Sequence, residues 1–187
     1  MTRTWPVDGR FTAAQRRVYE AVLDTNEQCI QLCRDPEMSL RSLHVESARI
    51  LTEHLTDMGL LSPLLSPGDD DGKDGRTLMS FYPHSIGHWL GLDTHDCRRA
   101  CGDQAFEEGM VLTVEPGLYI PDHFDIPEEF RGIAVRIEDD VAIRGKTWVK
   151  QGIRGGQSGI ENDIEVITRH IPKRVDEVEA ALQQRKT

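Results

Sequence analysis

The sequence predicts a mixed α/β (α+β) domain. Three observations predict it. Two stretches with helical apolar spacing precede Pro63, a strand-and-turn pattern takes over from Met79, and a short charged helix closes the chain. At 187 residues the chain suits one domain with a sizeable core.

The first helix is announced by Thr12-Ala-Ala-Gln15, which reads as a capping box. Val18, Val22, Cys29, Ile30 and Cys33 then recur at roughly helical spacing, which predicts a helix to about Arg34 that stops before Pro36. Ser39 predicts a second N-cap. Leu43, Ile50, Leu51, Leu55 and Met58 supply that helix's apolar stripe, and Gly59 suits its C′ position. From Ser62 to Arg76 the prolines, glycines and Asp69, Asp70 and Asp71 read as a solvated loop. The three aspartates lack the spacing and the bidentate glutamate of a calcium loop.

Met110 to Glu115 predicts a short buried strand closed by Pro116-Gly117. Gly132 to Ile143 predicts a longer strand. In its centre Val135, Ile137 and Asp139 face one way, and Arg136, Glu138 and Asp140 face the other. Gly152 to Gly159 reads as a turn, and Pro172 to about Gln184 as the closing helix.

A formal charge of −10 argues against general nucleic-acid binding. No window reaches the roughly 18 apolar residues of a membrane span, and Met1 is followed by neither a secretory nor a transit pattern. The expectation is a soluble intracellular chain with no nucleic-acid or membrane partner. The four cysteines form two CxxxC pairs, Cys29/Cys33 and Cys97/Cys101. The pairs lie far apart in the sequence, which disfavours a metal clip. Cys29 and Cys33 are expected on a helix face as small hydrophobes.

The chemistry concentrates in Ser80 to Asp96, where His84, His88 and His95 stand among glycines and apolar residues. Glu115 ends one apolar run, and Glu138 lies in another, two residues after Arg136. Imidazole and carboxylate groups arriving from separate apolar segments are what a buried metal site needs. Other readings stay open. Glu115 can be a strand-end residue in water, and Arg136 and Glu138 can form a buried ion pair. Any single histidine can be an ordinary hydrogen-bonded side chain, which is the reading taken for His44, His54, His123 and His170. Gly87 and Gly91 argue against a helix around His88. An extended stretch sets His84 and His88 on one side, whereas His95 needs a turn to join them.

The pieces occur together and in order. Thr2-Arg-Thr-Trp-Pro-Val-Asp-Gly-Arg-Phe-Thr, Gly87-His-Trp-Leu-Gly-Leu-Asp-Thr-His-Asp, Gly109-Met-Val-Leu-Thr-Val-Glu-Pro-Gly-Leu-Tyr-Ile and Arg131-Gly-Ile-Ala-Val-Arg-Ile-Glu-Asp-Asp span most of the chain. With these motifs the chain resembles the Xaa-Pro aminopeptidase (aminopeptidase P) branch of peptidase family M24. Within it the motifs are similar to those of the mitochondrial Xaa-Pro aminopeptidase 3-like group and of bacterial aminopeptidases P. The resemblance implies the pita-bread (creatinase/aminopeptidase) fold. It also implies a metalloprotease that releases the N-terminal residue from peptides with proline second, using two manganese ions (Mn2+).

Residue by residue, the resemblance implies that His88, Glu115 and Glu138 are metal ligands. His84 and His95 match histidines that contact the substrate, and Arg136 matches an arginine beside the site. The family pattern has two further aspartate ligands, upstream of the position that Met1 occupies. Asp8 and Asp24 do not match them. Residues 1–187 are therefore expected to form the C-terminal catalytic domain, N-terminally truncated, without the family's N-terminal domain. Uncovered sheet edges then favour a homo-oligomer. A mitochondrial or cytoplasmic location is expected. The alternatives are a catalytically silent isoform acting through oligomerisation, or a prolidase-like dipeptidase.

Overall fold

Both long helices begin at caps that satisfy their first backbone donors. The computed structural model describes residues 1–61, 77–97, 102–123, 125–149 and 159–184. Helix α1 runs Ala13–Leu32. Thr12 Oγ1 accepts from Gln15 N at 3.2 Å, and Gln15 Oε1 accepts from Thr12 N at 3.0 Å, as the capping box predicts. Helix α2 runs Leu40–Asp57 with Ser39 and Ser42 in the same reciprocal arrangement. It ends at Met58, after which Gly59 turns the chain at a φ of 74°, a conformation costly for residues with a Cβ.

Among the described residues, short helix α3 (Leu78–Phe81) precedes five strands: β1 Val111–Val114, β2 Gly117–Tyr119, β3 Ala134–Arg136, β4 Asp139–Val149 and β5 Gly159–Val166. Helix α4, Val175–Gln184, closes the chain, and Glu177 Oε2 accepts from Lys173 N and Arg174 N just ahead of it. The strands form two antiparallel sheets, β1-β4-β5 and β2-β3.

The expected single strand over Gly132 to Ile143 is instead two strands in different sheets. The ladder partners explain the break. Pro116 separates β1 from β2 and has no N–H to donate. On the facing chain the pairing lapses at Ile137 and Glu138, where Ile137 N donates to Pro116 O at 3.3 Å. Pro116-Gly117 therefore does not close the edge, because Gly117 opens β2. The side-chain alternation survives the break. Val135, Ile137 and Asp139 are buried on one side.

Strand β5, which the sequence reading did not anticipate, pairs with β4 along its length. Its outer edge is partly covered by the turn after α1, with Asn162 N donating to Arg34 O at 2.7 Å. The expected loop over Ser62 to Arg76, most of the expected turn over Gly152 to Gly159, and Cys101 lie outside the described residues.

Two apolar clusters hold these layers together. Tyr19, Leu51, Leu55, Phe81, Leu118, Phe130, Val135 and Val178 belong to one. Cys29, Leu43, Ile86, Trp89, Phe106, Leu112 and Val141 belong to the other. Each large side chain so buried contributes about 1.5–3 kcal/mol. Burial pushes the Cys33 thiol up to about 12, so Cys29 and Cys33 pack as unreactive hydrophobes. No described helix is long and apolar enough to cross a membrane.

Candidate metal centre

Three adjacent segments converge where the two sheets separate. Residues 86–90 run along the free edge of β1: Glu115 N donates to Ile86 O at 2.7 Å, Thr113 N to His88 O at 2.9 Å, and Leu90 N to Val111 O at 2.9 Å. This close approach requires Gly87, because a Cβ there would lie 1.9 Å from Thr113 O. It presents His88 beside Glu115, which stands one residue beyond β1. Glu138 comes from the break between β3 and β4.

Single ligand atoms of His88, Glu115 and Glu138 all lie within 4.8 Å of one another. His88 Nδ1 donates to Trp89 O at 3.0 Å, which leaves the Nε2 lone pair pointing into the cluster. Nε2 is 3.3 Å from Glu115 Oε1. A lone pair facing a carboxylate oxygen calls for a positive charge between or upon them, which a proton or a metal ion provides. The donor set, one imidazole and two carboxylates, fits a divalent cation of intermediate or hard character.

Charge around the cluster is already partly balanced. Arg136 Nη1 donates to Glu115 Oε2, and Arg136 Nε donates to Tyr119 OH at 2.8 Å. Thr113 Oγ1 donates to Glu115 Oε1 at 3.2 Å and accepts from His88 N at 3.0 Å. Thr2 Oγ1 donates to Glu138 Oε2. The pairing open from sequence, Arg136 with Glu138, is thus replaced by Arg136 with Glu115. The register of β2 on β3 sets Gly117 opposite Arg136, which brings the guanidinium to the residues just before Gly117.

A cavity of about 550 Å³ opens beside the cluster, lined among others by His84, His88, His95, Glu115 and Arg136. Glu138 belongs to the ligand cluster but does not line the cavity, and Thr2 bonds its carboxylate. His95 reaches the site through the bend at residues 91–95, and its ring stands edge-on to His88 at 4.6 Å. His84 Nδ1 donates to Ser85 O at 2.8 Å, while its ring meets Tyr82 and Tyr119 edge-on. Among the described residues His84 Nε2 is buried without a hydrogen-bond partner. The structure thus brings all six sequence-predicted residues into one place. It adds Thr113, Tyr119 and Thr2, which the sequence reading missed. Thr113 was detectable as the residue two before Glu115 on the same strand face.

Burial lowers the pKa of His84 and of His44, so both rings are neutral near pH 7. A folded-state pKa below the unfolded one means that the unfolded chain binds more protons as pH falls through about 6.5. Stability is therefore expected to drop between pH 7 and pH 5, by at most about 1.4 kcal/mol per group for each pH unit. Thermal midpoints across that range check this, and a smaller drop is expected for His84→Gln.

Metallopeptidase family M24 matches residues 1–145. Intermediate cleaving peptidase 55, mitochondrial, of Arabidopsis thaliana is 37% identical over 182 residues, covering 97% of this chain and 31% of that protein. Xaa-Pro aminopeptidase of Escherichia coli (strain K12) is 38% identical over 185 residues, covering 97% of this chain and 37% of that protein. The crystal structure of Icp55 from Saccharomyces cerevisiae superposes with a TM-score of 0.80 at 36% identity, over 97% of this chain and 38% of that one. The mixed helix and strand architecture is thus that of the pita-bread fold. The chain spans about a third of the length of the relatives it matches.

Proposed function

The chain belongs to metallopeptidase family M24, and from that premise we propose that His88, Glu115 and Glu138 hold divalent manganese in an aminopeptidase that releases the N-terminal residue from peptides with proline second. The observation that carries the metal reading is the convergence of the three ligand atoms, with His88 Nε2 turned towards Glu115 by its bond to Trp89. Two carboxylates and one imidazole suit manganese better than a thiolate-rich site would. Bound divalent cations supply Lewis acidity and lower the pKa of water for attack on a peptide carbonyl. On the family pattern two upstream aspartates complete the ligand set.

The chain's own residues supply the rest. Thr113 and Arg136 hold both oxygens of Glu115 at the cavity wall. His84 is neutral and lines the cavity, so in this reading its ring packs beside the bound peptide. His95, on the exposed side of His88, is placed to meet the substrate as it enters. Peptides with proline second are the proposed partners, and nucleic acid is not one for a chain of charge −10. The proposed compartment is mitochondrial or cytoplasmic.

The test is hydrolysis with manganese supplied, by a polypeptide that carries these residues together with the two aspartates. Release of the first residue from tripeptides and longer peptides with proline second, abolished by a chelator, supports the reading. A polypeptide that retains the metal but cleaves no such peptide overturns the substrate assignment. Cleavage confined to dipeptides would make it a dipeptidase instead.

A further inference from the structure

We infer that Lys173 and Asn26 are positioning residues for the metal centre. With Asp139 and Arg3 they form a buried polar brace that sets the spacing between the strand ends next to Glu115 and Glu138. The inference rests on reading those glutamates as metal ligands.

The β1–β4 ladder ends with Val114 opposite Asp139. Glu115 and Glu138 stand one residue beyond that last pair, so no bond of this ladder fixes the distance between them. The brace spans the same point by another route. Lys173 Nζ donates to Asp139 Oδ2 at 2.8 Å and to Asn26 Oδ1 at 2.8 Å. Asn26 Nδ2 donates in turn to Val114 O at 3.0 Å, the carbonyl just before Glu115. On the other side Arg3 Nη2 donates to Asp139 Oδ1 at 2.7 Å, while Arg3 Nη1 donates to the Glu138 carbonyl oxygen. Thr168 Oγ1 adds a bond to Asp139 Oδ1 at 2.6 Å. An unbroken path of hydrogen bonds therefore joins the backbone before one glutamate to the backbone of the other.

Its members come from α1, from the segment before it, from the first residue of β4 and from the loop before α4. Asp139 and Asn26 are fully buried. Apolar packing of similar volume would stabilise such a place about as well as an ionic cluster. What the ionic cluster adds is a set of directional bonds of fixed length to both backbones. Groups that orient metal ligands from outside the coordination sphere typically change metal affinity by about 10–100-fold when removed.

The test is titration of this chain with Mn2+ alone, read by calorimetry well below the melting temperature. Lys173→Met cuts the brace at its centre. Asn26→Asp keeps an oxygen facing Lys173, replaces the donor to Val114 O with a carboxylate oxygen that cannot donate, and adds a negative charge beside Lys173. Leu55→Ala, which opens a cavity in an apolar cluster without removing any bond of the brace, controls for lost stability. The expected result is about 10–100-fold weaker Mn2+ binding in both brace variants, with wild-type affinity in Leu55→Ala. Wild-type affinity in brace variants that merely melt at lower temperature would overturn the inference. If Lys173→Met does not fold, Asn26→Asp decides alone. A wild-type chain that binds no Mn2+ would instead overturn the metal reading, and the brace's role with it.

Discussion

Asp139→Ala is expected to cost about 3–5 kcal/mol of folding stability, the range for breaking a buried ion pair from one side. Asp139 is 0% exposed, and its carboxylate is bonded by Arg3, Thr168 and Lys173. Burial alone would raise its pKa, but the bonds from Lys173, Thr168 and Arg3 outweigh that and hold it below the usual carboxylate range. Removing it strands a guanidinium whose side chain is 5% exposed and leaves an ammonium with only Asn26. By contrast, the exposed pair Arg41–Asp103 is worth about 0–1 kcal/mol. For a chain of this size the loss corresponds to a fall in melting temperature of roughly 6–20 °C. Urea or thermal denaturation measures it. A loss under about 1 kcal/mol would show that the cluster is not the structural tie described above.

The second large effect concerns the ligands. His88→Ala and Glu138→Gln are each expected to weaken Mn2+ binding by more than the roughly 10–100-fold typical of groups outside the coordination sphere. His88→Ala removes the one nitrogen donor. Glu138→Gln removes a negative charge but keeps the volume and much of the hydrogen bonding, so the fold should persist. Calorimetric titration with Mn2+ separates the outcomes. Unchanged affinity in either variant would remove that residue from the ligand set.

How much of this was legible in the sequence depends on whether the determining interaction is local. The caps at Thr12 and Ser39 satisfy donors within three residues of themselves, so both helices could be read directly. The alternation of Val135 to Asp140 is also local and survived the break in the strand. The break itself was not legible, because its cause, Pro116, lies on the facing chain. Strand β5 escaped notice for a related reason. Gly159-Ile-Glu-Asn-Asp-Ile-Glu-Val is poor in strand-favouring residues and is extended because β4 pairs with it.

The site shows the same division. His84, His88, Glu115 and Glu138 could be singled out because imidazoles and carboxylates among apolar residues need a reason to be there. The partner of Arg136 could not, since sequence proximity favoured Glu138 whereas the register of β2 on β3 delivers Glu115. Arg3, Asn26 and Lys173 carry no local pattern that links them. They meet only after α1, α4 and both sheets have packed together.

The central claim is that His88, Glu115 and Glu138 bind a divalent metal ion. Elemental analysis of this chain after equilibrium dialysis against Mn2+ tests it most directly, beside the combined variant His88→Ala, Glu115→Gln, Glu138→Gln. The account predicts manganese on the order of one ion per chain in the wild type and none above background in the variant. No manganese in the wild type, or equal amounts in both, would contradict it.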